Sequence, residues 1–534
     1  SQNVEEEEEL DNDLLEDEEI EGGKRYQIVE LECLKKLFKR CGECGSLVDS
    51  STIKIRSCAS AIVVSYDCLP CNEELQWESQ TKVGSGRGRV FSLNHFLPIA
   101  AFSTGTPLPR LNDLAKVLDL SIPSDSSMRR KIRVVGCEAI QRVFNKKQEE
   151  AREIEKNVAG DVGLQVSIDG QYCTPWFNAT NCKVTAIDCE TRLALAGVAL
   201  HKNEEGIDGK SIRMESVGSL RALEELIDDG FLIRTRVNDQ NATVNKKLRE
   251  HPKTAAIVGK HDWWHVIRPL RKEWHKAVKT TPDLLPLLRK FFNHLYYAHT
   301  KYTEEEDRPK ALEVVKSYIM HCQGIHRWKK SEDFKLVTKC DHTALKRKKK
   351  GETRLKLKAD APELLMAKQL IFSEKFAKGF LSAATLIDTA LNECYHSLSL
   401  MYAPKRFAFS PFYYRLKTKV ALLHYNGLVL EDMMGTRKET GNTLLPRRGK
   451  VVVAVKRNRG VGTHYWREEV MATSYNVLEE RNDQQYARRI GVPEDDVYDD
   501  IIEWWEEKER EIRAMEEYER DEGGEGEQED DGDD

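Results

Sequence analysis

No run of about 18 apolar residues occurs in the 534-residue chain, so no transmembrane helix is expected. The N-terminal stretch lacks the basic and apolar residues of a secretory leader and is acidic instead, so none is expected there. No internal repeat is visible, which sets aside a repeat architecture. A charged fraction of 32% beside a hydrophobic fraction of 40% is polar for a globular protein without being a disordered composition. The length exceeds one ordinary compact core, so two or more domains are expected.

The net charge of −6 conceals a strong partition. Residues 1–22 carry 12 acidic and no basic residues, and residues 494–534 carry 22 acidic and 4 basic ones. Residues 23–493 are therefore left with a net charge of +24. A basic body between acidic tails suits a polyanion-binding protein whose tails screen or compete for its groove.

Thirteen cysteines are present, four of them in Cys41-Gly-Glu-Cys44 and Cys68-Leu-Pro-Cys71. With no leader expected, that pattern favours zinc or free thiols over disulfides. Two tight knuckles separated by a strand-like IRSCASAIVVSYDC read as a zinc ribbon holding Zn²⁺ on Cys41, Cys44, Cys68 and Cys71. Helical apolar spacing over 26–40 leads into the first knuckle. Residues 92–148 read as helices, and LNDLAKVLDLSIPSDSSMRRKI within them is helix–turn–helix material or a plain connector.

From residue 163 the pattern changes. Strands are expected at 163–169, 182–188 and 192–200, then a helix over 216–230, a strand over 231–239, a short helix, and a fifth strand over 254–260. Three strands in a meander, then helix, strand, helix, strand, is the order of an RNase H-like fold. The fold class expected is therefore α/β, an RNase H-like mixed sheet interrupted by an all-α insertion, with an N-terminal zinc ribbon and acidic disordered tails. The boundaries that follow are an acidic tail (1–25), a zinc-ribbon region (26–90) and a helical linker that could bind DNA (91–160). The first part of the catalytic domain (161–278) precedes a helical insertion (279–385) and closing helices (386–430). A basic extension (431–493) and an acidic tail (494–534) end the chain.

In that order the first and fourth strands lie side by side and end in Asp169 and Asp239. A third acid on a later helix would complete a pocket for two divalent ions, which need several hard oxygen ligands. Glu393 in LNECYH is the choice, with Asp388 and Glu374 as competitors. Asp262 and His265 fall one helical turn apart, and an N-cap Asp paired to His is the structural alternative to a role near the reacting phosphate. Trp263 and Trp264 could stack on bases or simply pack. A second zinc site is readable from Cys322, His326, Cys340 and His342, with His321 open as an alternative to Cys322. Candidate phosphate contacts are Lys346, Arg347, Lys348, Lys349, Lys350, Lys405, Arg406, Arg447 and Arg448. The Lys346–Lys350 run reads equally as a nuclear-import signal or a solvated loop.

The segments VSIDGQY, VNDQNATVNKKL, HDWWHVIRPLRKEW and NECYHSLSLMYAPKR resemble the blocks of eukaryotic cut-and-paste transposases of the Mutator-like and Kolobok-like kind, from about residue 30 to 430. The resemblance implies that Asp169, Asp239 and Glu393 form a DDE triad binding Mg²⁺ or Mn²⁺, with Asp262 and His265 accessory to it. It also implies a large helical insert between the second Asp and the Glu. No THAP-type finger is found, and the CxxC ribbon stands where a DNA-binding module would. The function expected is metal-dependent DNA cleavage and strand transfer at transposon ends. The partners expected are double-stranded DNA, as terminal inverted repeats and target, and a second copy or larger assembly on DNA; the location expected is the nucleus. The alternative is a domesticated nuclear DNA-binding protein without catalysis.

Overall fold

The computed structural model describes residues 25–489 apart from 85–88, 175–177, 240, 343–355, 386–388, 406, 438, 448–449 and 461. Both expected acidic tails lie almost wholly outside the described residues. The chain divides into a small unit, residues up to Val83 with 89–95 and 114–124, and a larger unit formed by the rest.

In the small unit, β1 (Lys54–Cys58), β2 (Ala61–Cys68) and β3 (Glu73–Glu78) form an antiparallel sheet in that order. The helix expected over 26–40 is shorter, α1 (Leu31–Lys35) followed by a 3₁₀ turn at Lys36–Lys39. It stops there because Cys41 already donates its backbone N–H to Ser46 O, 2.8 Å, which starts the first knuckle. Leu34, Phe38, Val64 and Tyr66 pack with Cys41 and Cys68 as a small core.

Helices α2 (Ser92–Thr104), α3 (Leu108–Val117) and α4 (Asp125–Lys131) follow, as the spacing led one to expect, and α5 (Cys137–Ala159) is a long amphipathic helix. The larger unit is built on a mixed sheet of β4 (Leu164–Tyr172), β5 (Asn181–Asp188), β6 (Ala194–His201), β7 (Ile233–Asn238) and β8 (Val258–His261). Its order is β8-β7-β4-β5-β6, with β4, β5 and β6 antiparallel neighbours and β4, β7 and β8 parallel ones. The fifth strand begins four residues later than expected. Thr254 and Ala255 turn back on His251, and Thr254 Oγ1 donates to Leu248 O at 2.7 Å, so the chain extends only from Val258.

Helix α6 (Ser211–Asp228) lies on one face of the sheet over Val166, Ile168, Val184 and Leu200. Gly218 permits the close approach, since a Cβ there would stand 2.6 Å from Val184 Cγ2. Gly230, at φ +88°, ends the helix while Phe231 N–H returns to Leu226 O. A short helix α7 (Ala242–Glu250) precedes β8, its N-terminus capped by the Asn241 side chain.

After His261 the chain leaves the sheet as α8 (Trp263–Thr280), α9 (Leu285–Lys301), α10 (Arg308–Lys316), α11 (Tyr318–Cys322), α12 (Pro362–Ile371) and α13 (Glu374–Ser382). These share a separate core that includes Ile267, Trp274, Phe291, Leu295 and Phe380. Trp274 is fully buried and stacks on Phe291 at 4.8 Å between centroids, a burial contributing of order 2–3 kcal/mol. The chain then returns to the strand it left: Ala383 bridges His261 in parallel, and Ala384 N–H donates to His261 O at 2.9 Å. Helices α14 (Ala390–Ser399) and α15 (Pro411–Met433) then pack on the sheet face opposite α6.

Candidate active site and metal centres

Parallel pairing places three aspartates at one edge. Ser167 of β4 is level with Val237 of β7, so Asp169 and Asp239, two residues on, end adjacent strands side by side. His261 of β8 is level with Asn238, which brings Asp262 to the same end. The carboxyl ends of parallel strands are where α/β sheets gather ligand-binding groups.

Asp262 acts as the N-cap of α8 and as a joint. Its Oδ1 accepts from the backbone N–H of His265 at 3.0 Å and lies 3.0 Å from His265 Nδ1. Its Oδ2 accepts from Thr389 N–H and Thr389 Oγ1 at 3.0 and 3.2 Å, at the start of α14. Burial works to raise this carboxyl, but the hydrogen bonds from His265 and Thr389 hold it down at about 2. His265 Nδ1 also stands 3.0 Å from Asp239 Oδ1. Contacts to Asp239 and then Asp262 raise His265 to about 10, so a cation sits between two carboxylates. The Asp262–His265 pair thus links the second strand-end acid to the helix that carries Glu393. Trp263 packs, stacked on His299 at 3.6 Å, whereas Trp264 is half exposed under Arg271.

Asp169 accepts from Gly170 N–H at 2.8 Å and is raised to about 8 by burial, then by Asp239 and Glu215. Glu215, on the second turn of α6, was not among the expected acids. The helix was expected to begin at 216, which left Glu215 outside it, whereas it begins five residues earlier at Ser211. The signal that could have found it is Gly170, where a Cβ would stand 2.7 Å from Glu215 Cγ. Tyr172 Oη and Asn241 Nδ2 hold the Glu215 carboxylate at 3.3 and 3.2 Å, and burial followed by Asp239 raises it. His396 Nδ1 lies 3.5 Å from Asp169 Oδ2, but burial, with Lys183 and Lys405 nearby, holds this imidazole down at about 3 and neutral.

Glu393 is exposed on α14 and lines an open cleft with Asp169, Gln171, His396 and Lys405. Its neighbour Asn392 fixes the helix. Fully buried, Asn392 accepts from Ser167 Oγ at 2.5 Å and donates to Thr185 O and Oγ1 at 2.9 and 3.0 Å. Of the competing acids, Glu374 starts α13 and is ion-paired to Lys378, while Asp388 lies outside the described residues. Lys346, Arg347, Lys348, Lys349, Lys350, Arg406 and Arg448 also lie outside them, and Arg447 ends the strand Glu439–Arg447.

Carboxylates from Asp169, Asp239, Glu215 and Glu393 are a hard-oxygen set of the kind that suits Mg²⁺ or Mn²⁺. Asp239 Oδ1 is buried and shares the His265 imidazole with Asp262, so a divalent cation bound there would compete with that imidazole for it. Among the described residues, the groups of three or more His, Cys or carboxylate ligands drawn within 4.8 Å of one another are elsewhere.

One is Cys41, Cys44, Cys68 and Cys71. Cys41 Sγ and Cys71 Sγ are 3.8 Å apart, and Cys44 Sγ and Cys68 Sγ 3.5 Å. Tetrahedral zinc with Zn–S near 2.3 Å spaces its sulfurs by about 3.8 Å. The cluster suggests zinc binding, and Cys44 is already lowered to about 6, first by its hydrogen bonds with Ser46. The other group is His321, His326, Cys340 and His342. This corrects the ligand set expected with Cys322. Adjacent residues on a helix point about 100° apart, and Cys322 turns into the helical core while His321 reaches Cys340 Sγ at 3.7 Å.

The larger unit is thus a mixed α/β assembly with a carboxylate-lined edge, and the small unit carries a four-cysteine centre. Residues 25–203 match the family model for Mutator-like transposase, which supports a Mutator-like transposase. The matched span holds the four cysteines and Asp169 and ends before Asp239, Asp262, His265 and Glu393. No curated protein matches the chain.

Proposed function

We propose that this protein is a DDE-type DNA transposase, cutting transposon ends and joining them to target DNA with Asp169, Asp239 and Glu393 as its acids. The observation that carries the reading is the register that sets Asp169 and Asp239 on adjacent parallel strands, with Glu393 over the same cleft. The strand order and the departure and return of residues 263–382 at β8 support an RNase H-like domain with a helical insertion. The match over residues 25–203 supports the same class.

Divalent ions held by these carboxylates would activate water or a 3′-hydroxyl and stabilise the leaving oxygen. Asp169 and Asp239 supply the rigid strand-borne ligands, and Glu215 adds charge beside them. Asp262 holds His265 against Asp239 and holds α14 in place, so that it positions two acids at once. Lys405, on the cleft beside Glu393, is placed to bind a phosphate of the flanking strand. A nuclear location and assembly on paired DNA ends go with this reading.

The test is strand transfer of a labelled DNA end in Mg²⁺ or Mn²⁺, the end taken from inverted repeats beside the gene. Wild type is expected to cleave and join, and Asp239→Asn and Glu393→Gln to bind the end without cutting it. Binding without cleavage by wild type in either ion would reject the enzymatic reading in favour of a silent DNA-binding protein.

A further inference from the structure

We propose that the helical body holds a structural zinc ion on His321, His326, Cys340 and His342. His321 Nδ1 and Cys340 Sγ are 3.7 Å apart, and His326 Nδ1 and His342 Nε2 are 3.2 Å apart. Tetrahedral zinc with Zn–N near 2.05 Å and Zn–S near 2.3 Å requires edges of about 3.6 Å and about 3.3 Å for these pairs. Three imidazoles and one thiolate suit zinc rather than Mg²⁺ or Ca²⁺, and four protein ligands close the site against catalysis.

The surroundings show what such an ion would fasten. Residues 326–340 fold back on themselves: Arg327 bridges Lys339, Trp328 N–H donates to Thr338 O, and Cys340 N–H donates to His326 O. That hairpin buries only Phe334 and Val337. Its far end is held by Glu313, whose carboxylate accepts from the N–H groups of Lys335, Leu336 and Val337 at 2.9, 2.8 and 2.7 Å. Its open end has His326 and Cys340 facing His321 at the end of α11. Asp341, between two ligands, is tied to Tyr302 Oη at 2.6 Å and Lys301 Nζ at 3.0 Å.

The site also brackets the Lys-rich stretch in sequence. His342 precedes it, and Leu357, just after it, donates its N–H to Cys322 O at 2.9 Å. His342 and Leu357 are thereby brought to neighbouring residues of α11, His321 and Cys322. A metal clip at this point would fasten the hairpin to α11 and offset the entropy of closing it.

The experiment is the metal content of the full chain, purified without chelator and read by native mass spectrometry and elemental analysis. Two zinc ions per chain are expected, one in the Cys41–Cys71 cluster and one here. His326→Ala and Cys340→Ser should each leave one, Cys44→Ser should leave one, and Cys322→Ala should leave two. Cobalt added to the apo chain should show two classes of site, the second with one thiolate rather than four. Hydrogen exchange over 326–342 should rise when the second equivalent is removed. A single zinc in wild type, or two that persist in both His326→Ala and Cys340→Ser, would overturn the proposal. The DNA-joining assay does not bear on this count, so the zinc site and the transposase reading stand or fall separately.

Discussion

Replacing Asn392 with Leu tests how helix α14 is seated. The substitution keeps the branched heavy-atom skeleton, with slightly bulkier methyls, and removes both the acceptor of Ser167 Oγ and the donor to Thr185 O and Oγ1. Ser167 and Thr185 are fully buried, so water does not replace what is lost. Leaving a buried polar group unsatisfied costs about 1–3 kcal/mol each. Two such groups and one weakened carbonyl give a total of about 3–5 kcal/mol. For a unit of this size the midpoint shifts by roughly 2 °C per kcal/mol, a fall of roughly 6–10 °C in scanning calorimetry. Ser167→Ala removes the hydroxyl that Asn392→Leu strands, so the double variant should lose about 1–2 kcal/mol less than the sum of the single ones. Cleavage should fall further than stability, because Glu393 is the next residue along the helix. Melting within 1 °C of wild type, or strict additivity with Ser167→Ala, would refute the claim that Asn392 locks α14 to the sheet.

Other expectations follow from single contacts. Glu155 is buried and, through burial and then despite the Thr191 hydrogen bond, its carboxyl is pushed up to about 7. A raised carboxyl costs the fold nothing below its unfolded value near 4.5 and its full cost above about 7. Glu155→Gln should therefore melt higher than wild type at pH 8, by of order 2 kcal/mol, with the gap closing by pH 4 in matched melts. Gly218→Ala drives a methyl towards Val184 and Leu200 and should cost about 1–3 kcal/mol by denaturant titration. Gly170→Ala should displace the Glu215 side chain and depress metal-dependent cleavage while shifting the melting midpoint little, read by activity and calorimetry together. Lys405→Ala should weaken DNA binding uniformly and lower the salt slope by about 1, measured by anisotropy across salt concentrations.

Alternating strands ending in Asp made the sheet edge legible in sequence, because a period of two and a turn residue leave few other readings for VSID and TRVND. The edge partner Glu215 was hidden by a helix start placed five residues late, where Ser211–Arg213 carry little apolar signal. The late start of β8 rests on Thr254 bonding back to Leu248, a contact between elements that no local pattern reports. Cys322 and His321 differ only in which way their helix faces, and that is decided by the core of α8–α13 rather than by ligand spacing. The joint made by Asp262 was half visible: its cap to His265 is local, while its bonds to Thr389 span 127 residues.

The two faces of the sheet also differ in when they can be covered. Helix α6 emerges from the ribosome soon after β6, and it covers Val166, Ile168, Val184 and Leu200. Helix α14 is made about 150 residues after Asp239, a delay of roughly ten to thirty seconds at about 5–20 residues per second. The patch that waits for it is Ser167, Gln171, Lys183 and Thr185, polar side chains that water can serve in the interval. The larger apolar face is closed first and the more wettable one last, so that while residues 263–382 are being synthesised the apolar side chains left waiting beside Ser167 are those level with it, Ile187 and Val237.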